Sequence, residues 1–147
     1  MDTPTLWYNF IHIKNLIMLQ KIGKWLFILP FAVFGFLHFG PLEFSLPYIP
    51  SCLPFPPFWV YFTGVCLLAF TLSAILKKYD GLAAFLLGIM LLLFVLMIHV
   101  PKSLEGDFFQ FIAIFRDTAM AGAAFIYGAV LAQDNRLIEF LKPKKHG

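Results

Sequence analysis

Four apolar stretches, each about as long as a membrane-spanning helix, limit the folds open to this chain. They cover residues 22–40, 58–76, 81–100 and 108–132. A helix needs about 20 apolar residues to cross the ~30 Å hydrocarbon core of a bilayer. The run 86–95 does not alternate apolar and polar side chains, as a strand of a membrane barrel would. The sequence therefore predicts an all-α fold, an integral membrane four-helix bundle.

The composition excludes the soluble alternatives. Apolar residues make up 61% of the 147 and charged residues 13%, whereas about a quarter of an ordinary soluble domain is charged. A chain this short cannot bury so much apolar surface in a single core. A soluble enzyme and a disordered chain are both excluded.

The positions of Lys and Arg predict the orientation. Nine of the eleven lie before or at the start of the first stretch, between the second and third, or after the fourth. The other two connections, 41–57 and 101–107, contain only Lys102. Because basic residues stay on the cytoplasmic side, both termini of this multi-pass protein are predicted to be cytoplasmic. Topology thus explains the net charge of +3, and no nucleic-acid partner is predicted.

Three segments follow from this arrangement. Residues 1–21 are interpreted as an interfacial segment, or as an upstream extension if Met18 is the natural start. Residues 22–132 form the four-helix membrane domain, and residues 133–147 form a basic cytoplasmic tail.

The external connection 41–57 contains six of the ten prolines, which excludes a regular helix there. Its many apolar side chains leave two alternatives, a cap over the mouth of the bundle or a rigid linker. It is also the predicted contact for a protein partner. Neither Cys52 nor Cys66 belongs to a metal-ligand pattern, and no metal site is predicted.

Arg116 and Asp117 are the charged residues inside the fourth stretch. Ionisable groups within a membrane are costly and usually mark functional sites. As neighbours on a helix they point about 100° apart, so each is expected to find a partner on another helix. Asp117 belongs to a stripe of small residues that should face the centre of the bundle. The stripe consists of Ala113, Asp117, Ala121, Ala124 and Gly128.

Two histidines are predicted to meet these charges at the external end. His38 closes the first stretch and His99 the third, while Tyr61 begins the second. We predict a polar pocket beneath the connection 41–57, with an inner half that is almost wholly apolar. Asp117, His38 and His99 would handle protons, and Arg116 and Tyr61 would bind the ligand. Alternatively, water or head groups satisfy the histidines, and Arg116 and Asp117 only hold helices together.

Several chemistries could use such a pocket, and the cofactor stays open. Histidine and aspartate could relay protons to a quinone carbonyl, with arginine holding the developing negative charge. Haem ligation by His38 and His99 is disfavoured because both lie close to the surface. A small-solute carrier ranks third, since the inner half has no polar path and no inverted repeat is visible.

Several motifs together resemble DoxX-like membrane proteins. They are Gly35-Phe36-Leu37-His38-Phe39, the segment 56–64, His99 before Pro101, and Arg116-Asp117. The resemblance extends from about residue 20 to residue 132 and implies a four-helix bundle of the bacterial inner membrane. The wider family includes a subunit of thiosulfate:quinone oxidoreductase and relatives linked to methylamine-dehydrogenase maturation. The site residues that the resemblance carries over are His38, His99, Arg116 and Asp117.

We therefore predict a small quinone- or lipid-facing component of a membrane redox system, with its pocket near the outer face. Its expected partners are the lipid bilayer and a quinone. The alternative is a non-catalytic membrane partner or assembly factor for another protein. Whether the chain is an enzyme stays open.

Overall fold

The computed structural model describes the backbone of residues 3–134 and the side chains of residues 13–134. Within that range the chain is helical and contains no strands. Four helices are long and apolar enough to cross a membrane, as the hydropathy pattern predicts, and the chain is accordingly a multi-pass membrane protein. Most of the predicted tail 133–147 lies outside the described residues.

The four helices are numbered in chain order. They are α1 (Thr3–Leu37), α2 (Pro56–Leu76), α3 (Asp80–Leu104) and α4 (Phe108–Leu131). The helix α1 runs without a break through the predicted interfacial segment, and its apolar part is Ile13–Leu37. Both α3 and α4 contain a π-helical turn, Val95–His99 in α3 and Tyr127–Leu131 in α4.

Successive helices run antiparallel, so each end of the bundle has its own connections. The loop end carries the connection 41–57 and the short turn between α3 and α4. The turn end carries the tight turn between α2 and α3. Gly106, with φ of +96°, makes the turn between α3 and α4 in a conformation that other residues rarely adopt.

Glycines allow the closest helix contacts. A Cβ atom placed on Gly64 of α2 would lie 3.0 Å from the carbonyl oxygen of Gly35 on α1. On the other side of the bundle, a Cβ on Gly128 of α4 would lie 3.1 Å from the carbonyl oxygen of Gly81 on α3. Small residues allow such approaches in membranes, where packing rather than the hydrophobic effect holds helices together.

An aromatic cluster fills the middle of the bundle. Phe31, Phe70 and Tyr127 come from three helices and are almost completely buried. The rings of Phe31 and Phe70 pack edge to face with centroids 5.4 Å apart, and those of Phe70 and Tyr127 are 6.0 Å apart. Edge-to-face contacts of this kind are favourable beyond the area they bury.

The helix α1 closes the bundle only partly. It packs along α2, while α4 packs along α3, and α1 approaches α4 mainly around Tyr127. The most apolar part of α1 is only 11% buried, compared with 28–33% for the other three helices. We call the interface between these two helices the α1–α4 seam.

The connection 41–57 lies over the loop end. It forms two short 3₁₀ turns, Leu42–Phe44 and Leu46–Tyr48, and no longer helix before Pro56, as its prolines predict. Trp59 on α2 donates from Nε1 to the carbonyl oxygen of Pro54 at 2.9 Å, which ties the connection to the bundle. Its side chains line a cavity in the bundle mouth, which favours the cap over the linker.

Candidate functional site

His99 lies at the centre of the polar site. It is the last residue of the π turn Val95–His99, in which the Val100 amide donates to the carbonyl oxygen of Val95. A π turn adds a residue to the helix and often occurs at functional sites. Pro101, two residues after His99, has no amide hydrogen to donate to the preceding turn. The ring of His99 is thereby presented to α4.

Two side chains of α4 hold the His99 ring. Its Nε2 lies 2.9 Å from Oδ2 of Asp117, and its Nδ1 lies 2.6 Å from Oε1 of Gln110. All three residues are buried. Both partner atoms are oxygens, so a ring protonated on both nitrogens, which is cationic, would donate to each of them.

The contacts of Arg116 contradict one prediction from the sequence. The sequence predicted that Arg116 and Asp117 would find partners on different helices, and only Asp117 does so. Arg116 Nε donates to Oδ1 of Asp117 at 2.7 Å, because its long side chain folds back over the helix surface. The guanidinium is more than half exposed, and its terminal Nη groups donate to no described residue. We call His99, Asp117, Arg116 and Gln110 the polar tetrad.

The sequence interpretation missed Gln110. Asp107 caps α4 and accepts from the amides of Phe109 and Gln110, at 3.0 and 3.2 Å, which fixes the first turn of the helix. Gln110 precedes Asp117 by seven residues, which is about two helical turns, so both face the same way. The small-residue stripe, extended back by one turn, would have found it.

Two cavities meet at the histidines. The loop cavity, of about 200 Å³, lies beneath the connection 41–57. Its polar lining consists of His38, Ser45, Tyr48, Thr63, His99 and Gln110. The membrane cavity, of about 210 Å³, lies deeper and takes its polar lining from His38, His99, Arg116 and Asp117. Its apolar lining consists of Phe31, Phe34, Leu67, Leu91, Phe94 and Met120.

His38 lines both cavities, as His99 does, so the structure brings the two histidines to one place. Its Nδ1 donates to the carbonyl oxygen of Phe34 at 2.7 Å, which leaves Nε2 without a hydrogen bond in the described structure. His99, by contrast, uses both nitrogens and has none left for a haem iron. Among the described residues no three His, Cys, Asp or Glu side chains form a metal-binding group.

Tyr61 lies away from the tetrad. Its ring stacks on Phe39 with centroids 5.7 Å apart, and it lines neither cavity. Thr63, two residues later and therefore on the opposite side of α2, lines the loop cavity instead.

The turn end has a polar group of its own, which corrects the expectation of an almost wholly apolar inner half. The carboxylate of Asp80 is fully buried and accepts hydrogen bonds from four donors. These are the Gly81 amide at 3.1 Å, the Tyr127 hydroxyl at 3.2 Å, and the amides of Gln133 and Asp134, each at 3.0 Å. In return, Asp134 Oδ2 accepts from the Tyr79 amide at 3.0 Å.

We call this reciprocal group the turn-end clasp. The sequence interpretation placed Asp80 in the connection before the third stretch, whereas it is the first residue of α3. The π turn Tyr127–Leu131 supplies the hydroxyl that reaches it.

Comparison of the chain with protein-family models, curated protein sequences and solved structures finds no match in any of the three. The resemblance to DoxX-like proteins thus stays a prediction from the motif residues.

Proposed function

We propose that this chain is a DoxX-like, quinone-facing component of a membrane redox system, with its polar pocket near the outer face of the bacterial inner membrane. The observation that carries the proposal is the membrane cavity. It is apolar over most of its surface and ends on His99, Asp117 and Arg116.

The two parts of that cavity suit the two parts of a quinone. Phe31, Phe34 and Phe94 offer ring faces and edges to a flat apolar ring. Arg116 offers Nη donors that no described residue uses, and these suit a carbonyl oxygen on which negative charge develops. With a protonated His99 the tetrad would carry one net positive charge, which favours an anionic form of the ligand over the neutral one.

The histidines link this cavity to the polar loop cavity. A quinone that accepts electrons from a redox partner must also take up protons. His99 faces the loop cavity through Gln110 and the membrane cavity through Asp117. His38 lines both cavities and has Nε2 available. Protons could therefore reach the membrane cavity from the loop end without crossing the apolar core.

The test is the ligand that co-purifies with the protein in mild detergent. We expect lipid mass spectrometry and an ultraviolet–visible spectrum to show a quinone with the wild type and none with Asp117→Asn. Glu43→Gln is the matched control, because it neutralises an exposed carboxylate at the same end of the bundle and should retain the quinone. Bulk phospholipid alone in the wild type would contradict the proposal. A Soret band would also contradict it, because it would identify the bound cofactor as haem.

A second function, a non-catalytic partner of another membrane protein, is favoured by exposed side chains at the loop end. Phe44 is 73% exposed, Phe55 81% and Phe109 80%. In that case the tetrad only locks the helices together. Asp117→Asn would then lose the folded protein in detergent, whereas a ligand site predicts a folded variant that lacks its quinone.

A further inference from the structure

A third cavity lies along the α1–α4 seam, nearer the turn end than the membrane cavity, and shares no lining residue with it. It has a volume of about 190 Å³ and an almost wholly apolar lining. The lining consists of Gly23, Phe27, Ala123, Ile126, Tyr127 and Leu131. Two cavities therefore lie along the α1–α4 seam. The membrane cavity has a polar end, and the third cavity, towards the turn end, is apolar.

The lining residues of the two cavities form one continuous stripe on each helix. On α4 a series at intervals of three or four residues runs from Arg116 to Leu131, with Asp117 and Ile126 beside it. A series with the same intervals runs along α1 from Gly23 to His38, the residue that follows the helix. Residues spaced in this way share one face of a helix. Each stripe spans sixteen residues, and its fifteen residue steps correspond to about 22 Å at a rise of ~1.5 Å per residue. The two cavities thus form parts of one groove.

The groove is open on its outer side. Gly23 and Ala123 are exposed, and Ile126 is 63% exposed. A Cβ atom placed on Gly23 would meet nothing within 4 Å. Because the flanks of these helices face lipid in a membrane, a lipid-soluble molecule can enter the groove sideways.

We infer that the groove of the α1–α4 seam is the lateral access route and tail site of a single-tailed quinone lipid. This rests on the proposed function and extends it to the whole ligand. The ring lies at the polar tetrad, and the tail runs along the α1–α4 seam to Gly23 and Leu131. The groove runs between two helices and is polar at one end and apolar along the rest. This arrangement matches a lipid with one polar ring and one hydrocarbon chain.

Gly23→Phe tests the groove, because the new ring would fill the apolar cavity without an initial clash. Gly122→Phe is the matched control: its Cβ also meets nothing within 4 Å, and Gly122 lines neither cavity of the groove. The probes are a methoxy-substituted benzoquinone with a decyl tail and the same ring with a methyl group in place of the tail. Native mass spectrometry in mild detergent measures the binding of each.

We expect Gly23→Phe to bind the tailed probe about tenfold more weakly than the wild type, since the tail loses its packing partners. Gly122→Phe should bind it as the wild type does, and both variants should bind the tail-less ring as the wild type does. Ala123→Phe blocks the same cavity from α4 and replaces Gly23→Phe if that variant does not fold.

Three other results would contradict either the tail site or the proposed function. Equal binding of the tailed probe by Gly23→Phe and Gly122→Phe would overturn the tail site and leave the proposed function standing. An equal loss of both probes in Gly23→Phe would also overturn it, because the effect would not concern the tail. If the wild type binds neither probe, the proposed function fails and the groove fails with it.

Discussion

Two buried aspartates, Asp117 and Asp80, are satisfied in different ways, and the difference separates a candidate site from a structural contact. Asp117 accepts from the side chains of His99 and Arg116, which carry charge and can exchange protons or partners. Asp80 accepts mostly from backbone amides, two of them in the segment that follows α4, and these cannot move without displacing that segment. Buried polar groups need such partners in either case. This difference supports the proposed chemical role of Asp117 and a structural role for Asp80.

Asp80→Asn tests the structural role. The amide nitrogen of asparagine would face the backbone amides of Gln133 or Asp134, so at least one donor would lose its acceptor. We expect the free energy of unfolding to fall by about 1–3 kcal/mol. Tyr127→Phe, which removes one donor, should cost about 1 kcal/mol. Thermal unfolding in detergent measures both, and Glu43→Gln serves as the exposed control. If Asp80→Asn is as stable as Glu43→Gln, the turn-end clasp does not stabilise the protein.

At the scale of elements, each π turn carries a side chain that reaches a buried aspartate on the neighbouring helix. The turn Val95–His99 in α3 ends on the partner of Asp117, and the turn Tyr127–Leu131 in α4 begins on a partner of Asp80. An extra residue in a turn rotates everything after it relative to a regular helix. The turn in α3 therefore shifts His99 relative to a regular helix, whereas Tyr127 begins the turn that ends α4.

Gly64→Ala tests how helix contact positions the site. The new Cβ would lie 2.8 Å from Cβ of His38 and 3.0 Å from the carbonyl oxygen of Gly35. We expect α1 to move away from α2, the unfolding free energy to fall by about 1–3 kcal/mol, and quinone retention to fall because His38 is displaced. Gly122→Ala is the control: it meets nothing within 4 Å and should be neutral or more stable by up to about 1 kcal/mol. Equal stability of the two variants would contradict the close α1–α2 contact.

At the scale of the whole molecule, the bundle has two different ends. The loop end combines the cap, the loop cavity and the tetrad, whereas the turn end combines Lys77 and Lys78 with the turn-end clasp. Because basic residues favour the cytoplasmic side, the turn end is predicted to face the cytoplasm.

Thiol labelling in intact cells tests this orientation. Cys52 is exposed at the loop end, and a Cys66→Ala background leaves it as the single thiol. We expect a membrane-impermeant maleimide to label Cys52 in intact cells. In a Cys52→Ser, Cys66→Ala background, Lys78→Cys should be labelled only after the cells are opened. The reverse pattern would invert the predicted topology.

The sequence alone determined the helical class, the number of spans and the residues gathered at the loop end. Hydropathy over about 20 residues is a local property that does not depend on tertiary packing. Charged side chains within a membrane are costly, so Arg116 and Asp117 are candidate site residues however the helices pack. His38 and His99 follow from the antiparallel order of the spans, which brings both to the same end.

Only the tertiary structure decided which atoms meet. Which side chains face each other depends on the rotation of each helix about its axis, to which the π turn in α3 and the glycine contacts contribute. Gln110 thus became a partner of His99, Tyr61 turned away from the cavities, and Arg116 folded back onto Asp117. Asp80 stands at a helix start, where sequence patterns predict exposure, and it is buried because the end of α4 folds over it.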